Sequence, residues 1–322
     1  MNIANIDDSL RDELFGLLEI HYSPFTLYVC CSRRSGQVMT LQEATYFLLN
    51  KLRTIYSEGE ASQVTDWVLE NLTGSKKAER MLYKSSDITY KEEEQLKQYA
   101  ERLLQHEPVQ YVLNEAWFGG LKFYVDKNVL IPRPETEELV EWVISNSKSL
   151  VDELKILDIG SGSGCIPISL KKNIQRAEVW SCDISPEALA VAKKNALTLR
   201  TDINFIQLDF LDSNNWKQLP SFDIIVSNPP YVPLKDKEQM QLNVLHYEPA
   251  TALFVPDNDP LIFYKAIAEF GKFHLNKSGS IFTEIHESLG EKTLAVFTSA
   301  GYTTELKKDM QQKDRMIRSG LI

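Results

Sequence analysis

The chain has 322 residues, of which 43% are hydrophobic and 25% are charged, an ordinary balance for a globular protein. Its 45 Asp and Glu residues outnumber its 35 Lys and Arg residues, which gives a formal net charge of −10. This acidity argues against a protein whose main task is to grip nucleic acid, because phosphate binding favours a basic face.

The length predicts two domains, at about 100–200 residues per domain. The cysteines are Cys30, Cys31, Cys165 and Cys182, and they form neither a C-x-x-C pair nor a cluster with zinc spacing. We therefore predict no metal site and a reduced, cytoplasmic setting. Every apolar run is shorter than the roughly 20 residues of a membrane span, so we expect no association with a membrane.

The first 114 residues have two parts. Residues 1–38 are irregular, and we predict an extension of uncertain order. From Leu41 to about His106, apolar residues recur at intervals of three and four, as on one face of a helix. This periodicity predicts a small helical domain over residues 39–114.

The periodicity changes after residue 114. Between Glu115 and Arg133, the pair Gly119-Gly120 interrupts short apolar segments, which predicts a β-hairpin linker over residues 115–133. Pro134 follows, and glutamates crowd the first turn of a new helix, where the helix dipole favours acids.

Strands and helices alternate from Lys155 onward. Alternation of this kind predicts an α/β fold over residues 134–322, with a mostly parallel sheet covered on both faces. The candidate strands are Lys155–Ile159, Glu178–Cys182, Asn204–Leu208, Asp223–Ser227 and Ser280–Ile285, and a closing antiparallel pair is Tyr302–Leu306 and Arg315–Leu321. The candidate helices are Cys165–Asn173, Pro186–Arg200, Leu261–Leu275 and Leu289–Ala300.

A glycine-rich turn, Gly160-Ser161-Gly162-Ser163-Gly164, follows the first of these strands. Glycines at a strand-to-helix turn let a ligand approach the backbone closely, although an isolated turn of this kind is usually only a turn. A dinucleotide fingerprint would place its third glycine at residue 165, which is Cys165, and no G-K-[ST] of a phosphate loop is present.

Acids end the strands that follow the glycine loop. Asp183 can accept both hydroxyls of a ribose, or it caps the helix that begins at Pro186. Asp209 can hold an adenine edge while the neighbouring ring of Phe210 stacks on the base, and a core aromatic is the alternative for Phe210. Asp158, within the first strand, either orients the glycine loop or satisfies its backbone. These elements in order on successive strands favour a nucleoside-binding site.

The fourth strand runs into Asn228-Pro229-Pro230-Tyr231. Two prolines fix the backbone and remove two N–H donors, so the Pro229 carbonyl is presented as an acceptor beside the Asn228 side-chain oxygen. Two acceptors suit a planar NH₂ group, and Tyr231 can pack over a flat substrate. The delocalised lone pair of such a nitrogen is a weak nucleophile, which positioning and electrostatics can direct at a sulfonium methyl group without a strong general base.

Three segments together resemble the HemK/PrmC protein-glutamine methyltransferases: Ile131 to Glu137 (I-P-R-P-E-T-E), the G-S-G-S-G loop, and Val226 to Val232 (V-S-N-P-P-Y-V). These enzymes modify the glutamine of the Gly-Gly-Gln motif in peptide chain release factors, which modulates translation termination. The resemblance covers about Met39 to the C-terminus. It implies a Rossmann-like class I methyltransferase domain with a mostly parallel seven-stranded sheet, a small N-terminal helical bundle, and S-adenosylmethionine as co-substrate.

The resemblance also implies roles for individual residues. Asn228, Pro229 and Tyr231 would be catalytic, and Asn228 to Tyr231 would hold the glutamine amide. Arg133 and Glu135 would lie near the cofactor pocket; a linker and a helix start are the alternative. The helical domain would recognise the release factor, and we expect a cytoplasmic monomer with no stable binding to nucleic acid. The implied cofactor contacts are Gly160, Ser161, Gly162, Ser163, Gly164, Asp183, Phe210 and Asn228.

The sequence departs from the family in two places. The linker of family members reads Y-I-x-G, whereas Tyr111 to Asn114 ends without the glycine, so we expect a different local turn and unchanged catalysis. Family members begin near Met39. Our hypothesis is that Met39 is the natural start or that the preceding extension is poorly ordered, and loss of stability or activity after deletion of residues 1–38 would refute it.

Two other functions fit part of the pattern. The N-P-P-Y motif is shared with adenine-N6 and guanine-N2 nucleic-acid methyltransferases, but these would want a basic target-recognition domain. A non-catalytic protein with a cofactor-binding fold is the other alternative, and the intact Asp183 and N-P-P-Y motif argue against it.

Overall fold

The computed structural model describes residues 38–147 and 154–321. Two compact units divide the chain between Gln98 and Tyr99. The extension predicted for residues 1–38 lies outside the described residues except for Val38, and the predicted domain boundaries stay predictions. Within the described ranges, every helix is too short or too polar to cross a membrane.

The first unit is helical, as the periodicity predicted. The cap of its first helix is a reciprocal pair, in which Thr40 and Glu43 each accept from the other's backbone N–H. Its helices are α1 (Leu41–Leu52), α2 (Glu58–Thr73), α3 (Lys77–Leu82) and the first part of α4 (Tyr90–Leu104). The apolar residues at helical spacing on α1 that are fully buried are Ala44, Leu48 and Leu52.

The second unit begins within α4 and continues through α5 (Val109–Leu113) into a hairpin. Strands β1 (Ala116–Phe118) and β2 (Leu121–Phe123) pair antiparallel across Gly119-Gly120, so a hairpin lies within the predicted linker, whose bounds of 115–133 stay a prediction.

Asn114 ends α5 in the left-handed conformation, with φ 52° and ψ 41°. Glycine adopts this conformation freely, and asparagine tolerates it better than most residues do. The Asn114 Nδ2 group also donates to the Val125 carbonyl at 3.0 Å. Asn114 therefore adopts the backbone conformation that a glycine would adopt freely, so the absence of a glycine at this position does not require a different turn.

The main sheet has seven strands: β3 (Lys155–Ile159), β4 (Glu178–Asp183), β5 (Asn204–Gln207), β6 (Phe222–Ser227), β9 (Leu275–Glu284), β10 (Tyr302–Lys308) and β11 (Asp314–Leu321). Two further strands of two residues each, β7 (Val232–Pro233) and β8 (Phe254–Val255), pair apart from this sheet. The order in the main sheet is β10-β11-β9-β6-β3-β4-β5. The five strands from β9 to β5 run parallel, and β11 and β10 close the sheet antiparallel at one edge.

Helices cover both faces of the sheet, as its buried strands require. Successive residues point to opposite faces, so Ile156 packs in one core and Leu157 in the other. The core that contains Ile156 is covered mainly by α6 (Pro134–Ser147), α7 (Cys165–Asn173) and the end of α8 (Pro186–Thr198). The opposite core is covered by α11 (Ile262–His274) and α12 (Gly290–Ser299); short helices α9 (Leu242–Tyr247) and α10 (Ala250–Leu253) lie between β7 and β8 in sequence.

The predicted α/β architecture is confirmed. All but one of the predicted ends agree with the observed ends to within two residues. The largest difference is at β9, which begins at Leu275 rather than Ser280. Its first residues, Asn276 to Ser278, are exposed and polar, so hydrophobic patterning could not identify them as strand.

The strand order changes direction beside β3. From β3 the chain continues to β4 and β5 on one side, and it then returns to place β6 on the other. A crevice forms at such a point outside the carboxyl ends of the strands, and ligands of open α/β sheets bind there. The glycine loop leaves β3 and Asn228 leaves β6, so the two sequence motifs flank this crevice.

Candidate active site

A cavity of about 380 Å³ opens at the carboxyl ends of the central strands. It brings together most of the residues that the sequence singled out. Gly164 and Tyr231 are the two predicted site residues that do not line it. The predicted residues that do are Gly160, Ser161, Gly162, Ser163, Asp183, Phe210, Asn228, Pro229 and Pro230.

The glycine loop has the backbone that the motif predicted. Gly160, Gly162 and Gly164 have φ values of 91°, 51° and 81°, in the region that favours glycine. A Cβ at Gly164 would lie 3.0 Å from Ile168 and 3.2 Å from Ala192, so this glycine also permits close helix packing.

The loop's N–H groups are largely used within the protein. Gly160 and Ser161 both donate to the Cys182 carbonyl, at 2.9 and 3.0 Å, and Gly164 donates to the Ser161 carbonyl at 2.7 Å. Gly162 donates to a carboxyl oxygen of Asp183 at 2.9 Å. A phosphate cradle needs such donors to be free, so the loop presents a shaped surface rather than an anion site.

Asp158 supports the loop through two serines. Its Oδ2 accepts from the Ser181 hydroxyl at 2.7 Å, and the Ser181 oxygen bonds the Ser161 hydroxyl. All three side chains are buried. Burial raises the pKa of the Asp158 carboxyl well above its usual range, while the Ser181 hydrogen bond opposes the rise. Of the two sequence alternatives, orientation of the glycine loop is the one this geometry favours.

Asp183 joins the loop to the next helix. Its carboxyl accepts from the N–H of Gly162 and, at 3.0 Å, from that of Ser185. The N-cap of α8 is Ser185, whose hydroxyl accepts from Ala188, so the alternative that Asp183 caps this helix is wrong. Burial raises the pKa of the Asp183 carboxyl, and the N–H donors oppose that rise. The carboxyl is thus fixed in place at the cavity wall.

Phe210 lies at the boundary of cavity and core. It lines the cavity, yet only 5% of it is exposed and its ring packs edge-on against Phe270 at 5.2 Å. Both alternatives therefore agree with its position. Asp209 is exposed at the cavity, and its carboxyl accepts from the N–H of Leu211 at 3.0 Å.

Asn228 lies beside the glycine loop at the switch between β3 and β6. The Ser227 hydroxyl donates to the Ile159 carbonyl at 2.7 Å and ties the two strand ends together. A Cβ on Gly160 would lie 3.9 Å from the Asn228 carbonyl oxygen. The Asn228 Nδ2 group donates to the Thr136 hydroxyl at 3.0 Å, which leaves Oδ1 as the acceptor on the other branch of the amide.

Tyr231 does not line the cavity. Its hydroxyl donates to Oε1 of Glu284 at 3.2 Å, and its ring packs edge-on against His286 at 5.9 Å. Burial raises the pKa of the Tyr231 hydroxyl. The expectation that Tyr231 packs over a flat substrate stays a prediction, and this side chain is turned toward Glu284.

Sequence reasoning missed Thr136 and Glu284. In the sequence, Thr136 is distinguished only as part of the I-P-R-P-E-T-E segment, and Glu284 only as an acidic residue at the end of a strand. The Thr136 hydroxyl donates to Oε2 of Glu284 at 2.7 Å, and Glu284 is 1% exposed. An acid predicted to be buried at the end of a central strand is a signal that could have identified Glu284, because buried carboxylates need partners.

The I-P-R-P-E-T-E segment contacts the loop after β6 as well. Arg133 donates to Oε1 of Glu248 at 2.6 Å, and Glu248 Oε2 accepts from the N–H of Ile131 at 3.3 Å. Arg133 lines the cavity and Glu135 does not, so the two residues expected near the pocket are placed differently. The charge of Arg133 is paired with that of Glu248. Among the described residues that line the cavity, no other lysine or arginine faces the acidic side chains of Asp183 and Asp209.

Comparison with known proteins identifies two family matches. Residues 41–113 match the PrmC N-terminal domain, and residues 138–252 match the Methyltransferase small domain. A release factor glutamine methyltransferase of Flavobacterium psychrophilum is 45% identical over 273 residues, which are 83% of this chain and 94% of that protein. Proteins of the same name are similar at 38% identity in Bacteroides thetaiotaomicron, over 86% of this chain and 99% of theirs, and at 40% in Lactococcus lactis, over 84% and 98%.

The chain belongs to the release factor glutamine methyltransferase family. The resemblance drawn from the three sequence segments is confirmed, and so is the prediction of a methyltransferase with a class I fold. A methyltransferase domain of this family takes S-adenosylmethionine as its co-substrate.

The cavity of this family member fits a nucleoside that carries a positive charge. Asp183 offers a fixed carboxyl at the end of β4, where a ribose can be held. The loop donors are already used, which disfavours a polyphosphate, and the acidic wall suits a sulfonium. The sequence prediction of no metal site stays a prediction; in residues 38–147 and 154–321, no three His, Cys, Asp or Glu side chains are grouped to hold an ion.

Proposed function

We propose that this protein transfers a methyl group from S-adenosylmethionine to the side-chain amide nitrogen of the glutamine in the Gly-Gly-Gln motif of peptide chain release factors. The family of the chain supports this substrate, because its relatives in three bacteria carry the name release factor glutamine methyltransferase. Residues 39–114 would recognise the release factor, and the cavity at β3 and β6 would take the glutamine.

The observation that carries the proposal is the orientation of Asn228. Its Nδ2 group is engaged by Thr136 at 3.0 Å, so its Oδ1 is the free acceptor at the cavity. The adjacent residues are prolines without N–H donors, and the Pro229 carbonyl is a second acceptor. A primary amide has two N–H groups to donate, and this pair of acceptors matches them.

The chemistry follows from holding both protons. When bound, S-adenosylmethionine supplies an electrophilic methyl group on a positively charged sulfur. Asn228 and Pro229 accept hydrogen bonds from the two amide N–H groups, which leaves more electron density on nitrogen and holds its lone pair toward the methyl group. Transfer replaces one N–H bond of the amide with an N–CH₃ bond, and the displaced proton passes to solvent. The gain comes from geometry and fixed dipoles, which act mainly in the transition state.

The proposal is tested with labelled S-adenosylmethionine. The purified protein is incubated with a release factor, with the same factor carrying Gln→Ala in its Gly-Gly-Gln motif, and with bulk RNA and DNA. We expect label on the unmodified factor alone. Label on nucleic acid with none on either factor would establish the base-amine alternative in place of this proposal.

A further inference from the structure

Glu284 lies at the same level of the sheet as Asn228. Strands β6 and β9 are parallel neighbours, and Ser227 pairs with Thr283. The residues that follow this pair, Asn228 and Glu284, therefore lie side by side at the carboxyl ends of the two strands. Glu284 is buried and is the acceptor for hydrogen bonds from two directions, one from Thr136 on α6 and one from Tyr231. A carboxyl group in this position is costly to bury, which calls for a reason beyond packing.

The directions of these hydrogen bonds follow from the charge. An ionised carboxylate only accepts, so the Thr136 hydroxyl must give its proton to Glu284 Oε2. The Thr136 oxygen then has lone pairs free and no proton to offer, and it can only accept from Asn228. The side chain that meets it must therefore be the NH₂ end of Asn228, as observed at 3.0 Å.

We propose that Glu284 is a positioning residue that acts through Thr136 to keep the Asn228 amide turned with Oδ1 toward the substrate, and that it holds Tyr231 at the same time. This inference rests on the proposed function, because it assigns the orientation of the group that receives the glutamine amide. A neutral group at position 284 can itself donate to Thr136. The Thr136 hydroxyl is then free to donate to Asn228 Oδ1, and the flipped amide presents its NH₂ end to the NH₂ of the substrate.

Charged and titratable groups surround Glu284 on several elements. Arg315 on β11 favours the ionised form, whereas Glu135 on α6 disfavours it. Tyr264 on α11 donates to the Glu284 backbone oxygen at 3.1 Å, and burial raises the pKa values of Tyr264, Tyr231 and Cys165, so these groups stay neutral near pH 7. Burial lowers the pKa of His286, which packs on Tyr231, so this ring is neutral in the same range.

Burial raises the pKa of Glu284 itself to about 7, and the Thr136 hydrogen bond and Arg315 oppose the rise. The folded state therefore holds this proton more tightly than the unfolded chain does. The associated stability is present below the usual carboxyl pKa and is lost as the pH rises toward about 7. The ionised form of Glu284 orients Asn228, and the folded protein is less stable when Glu284 is ionised. Activity should therefore increase with pH over the range in which the folding stability decreases.

The test uses Glu284→Gln, Thr136→Val and Thr136→Ser in the full-length protein, with Glu269→Gln as the control. Glu269 on α11 is exposed and pairs with Lys272, so its substitution removes a surface charge outside the site. Methylation of the release factor is measured from pH 6 to 9, and S-adenosylmethionine affinity is measured by calorimetry.

We expect Glu284→Gln and Thr136→Val to lower kcat by about 10- to 100-fold, the usual consequence of a misaligned reacting group. Affinity for S-adenosylmethionine should change little. Thr136→Ser should recover most of the rate lost in Thr136→Val. The kcat of the unsubstituted protein should rise through pH 7, that of Glu284→Gln should be flat, and Glu269→Gln should follow the unsubstituted protein.

Two outcomes separate the inference from the proposed function. Normal kcat and an unchanged pH profile in both Glu284→Gln and Thr136→Val would overturn the inference while methylation of the factor stands.

If the unsubstituted protein leaves the factor's glutamine unmethylated, the proposed function fails. Exchange of the Asn228 side-chain NH₂ protons, followed by NMR, still reports on the relay: we expect faster exchange in both variants, and unchanged exchange contradicts the inference. If Glu284→Gln does not fold, the Thr136 pair carries the same test.

Discussion

The two ends of the cavity are held in place by different means. At the cofactor end, the glycine loop and Asp183 lie on neighbouring strands, and the bonds that support them run to β3, β4 and the adjoining turns. At the reacting end, Asn228 is held by Thr136, which is 92 residues away in sequence, and Thr136 is held by Glu284, 148 residues away.

Because their supporting contacts differ, substitutions at the two ends of the cavity should have different effects. A change at the cofactor end affects a local set of contacts and should act on binding. A change at the reacting end disturbs one hydrogen-bonded series that crosses α6, β6 and β9, and it should act on the rate of transfer. Substitutions at the two ends should therefore separate an effect on binding from an effect on rate.

Asn228→Ala removes the acceptor at the reacting end. We expect kcat to fall by at least about 10²–10³-fold, the usual cost of deleting one group that stabilises a transition state. Affinity for S-adenosylmethionine should remain within a few-fold, because the glycine loop and Asp183 are untouched. Single-turnover methylation and calorimetry measure the two quantities, and undiminished turnover would refute the role assigned to Asn228.

Asp183→Ala removes the fixed carboxyl at the cofactor end. Loss of charge-assisted hydrogen bonds worth about 1.5–3 kcal/mol should weaken S-adenosylmethionine binding by roughly 10- to 150-fold. At saturating co-substrate, kcat should recover to near its original value, which is the reverse of the pattern for Asn228→Ala. Steady-state kinetics over a wide co-substrate range measure this split. An unchanged KM would show that Asp183 serves only the protein's own loop.

Asn114→Ala lies outside both ends and provides the smallest effect. Alanine in the left-handed conformation should cost about 1–2 kcal/mol of stability. Asn114→Gly should cost less, because glycine enters this conformation freely, although the bond to Val125 is lost in both. Denaturant unfolding measures stability, and kcat and KM should stay unchanged. Equal loss in the two variants would mean that the side-chain bond, not the backbone, sets the cost.

Much of the fold was predictable because each signal was local. The alternation of buried strands and helices placed β3, β4, β6, α7 and α8 within one or two residues, and the loop glycines were visible from spacing alone. The polar first part of β9 was not predicted, because hydrophobic patterning cannot detect an exposed strand end.

The reacting end was predictable only in part. Asn228 and the prolines were visible because they are contiguous in sequence. Thr136 and Glu284 were not, because only the packing of α6 against β9 brings them to Asn228. The hydrogen bond from Tyr231 to Glu284 was not predictable for the same reason.

The most direct test of the account locates the methyl group. A release factor methylated by this protein is digested, and the peptide that contains Gly-Gly-Gln is fragmented in a mass spectrometer. We predict one methyl group on the side-chain amide nitrogen of that glutamine, absent when Asn228→Ala replaces the unsubstituted enzyme. A methyl group on another residue, or on nucleic acid instead, would contradict the assignment of Asn228 and Pro229 as the two acceptors of a glutamine amide.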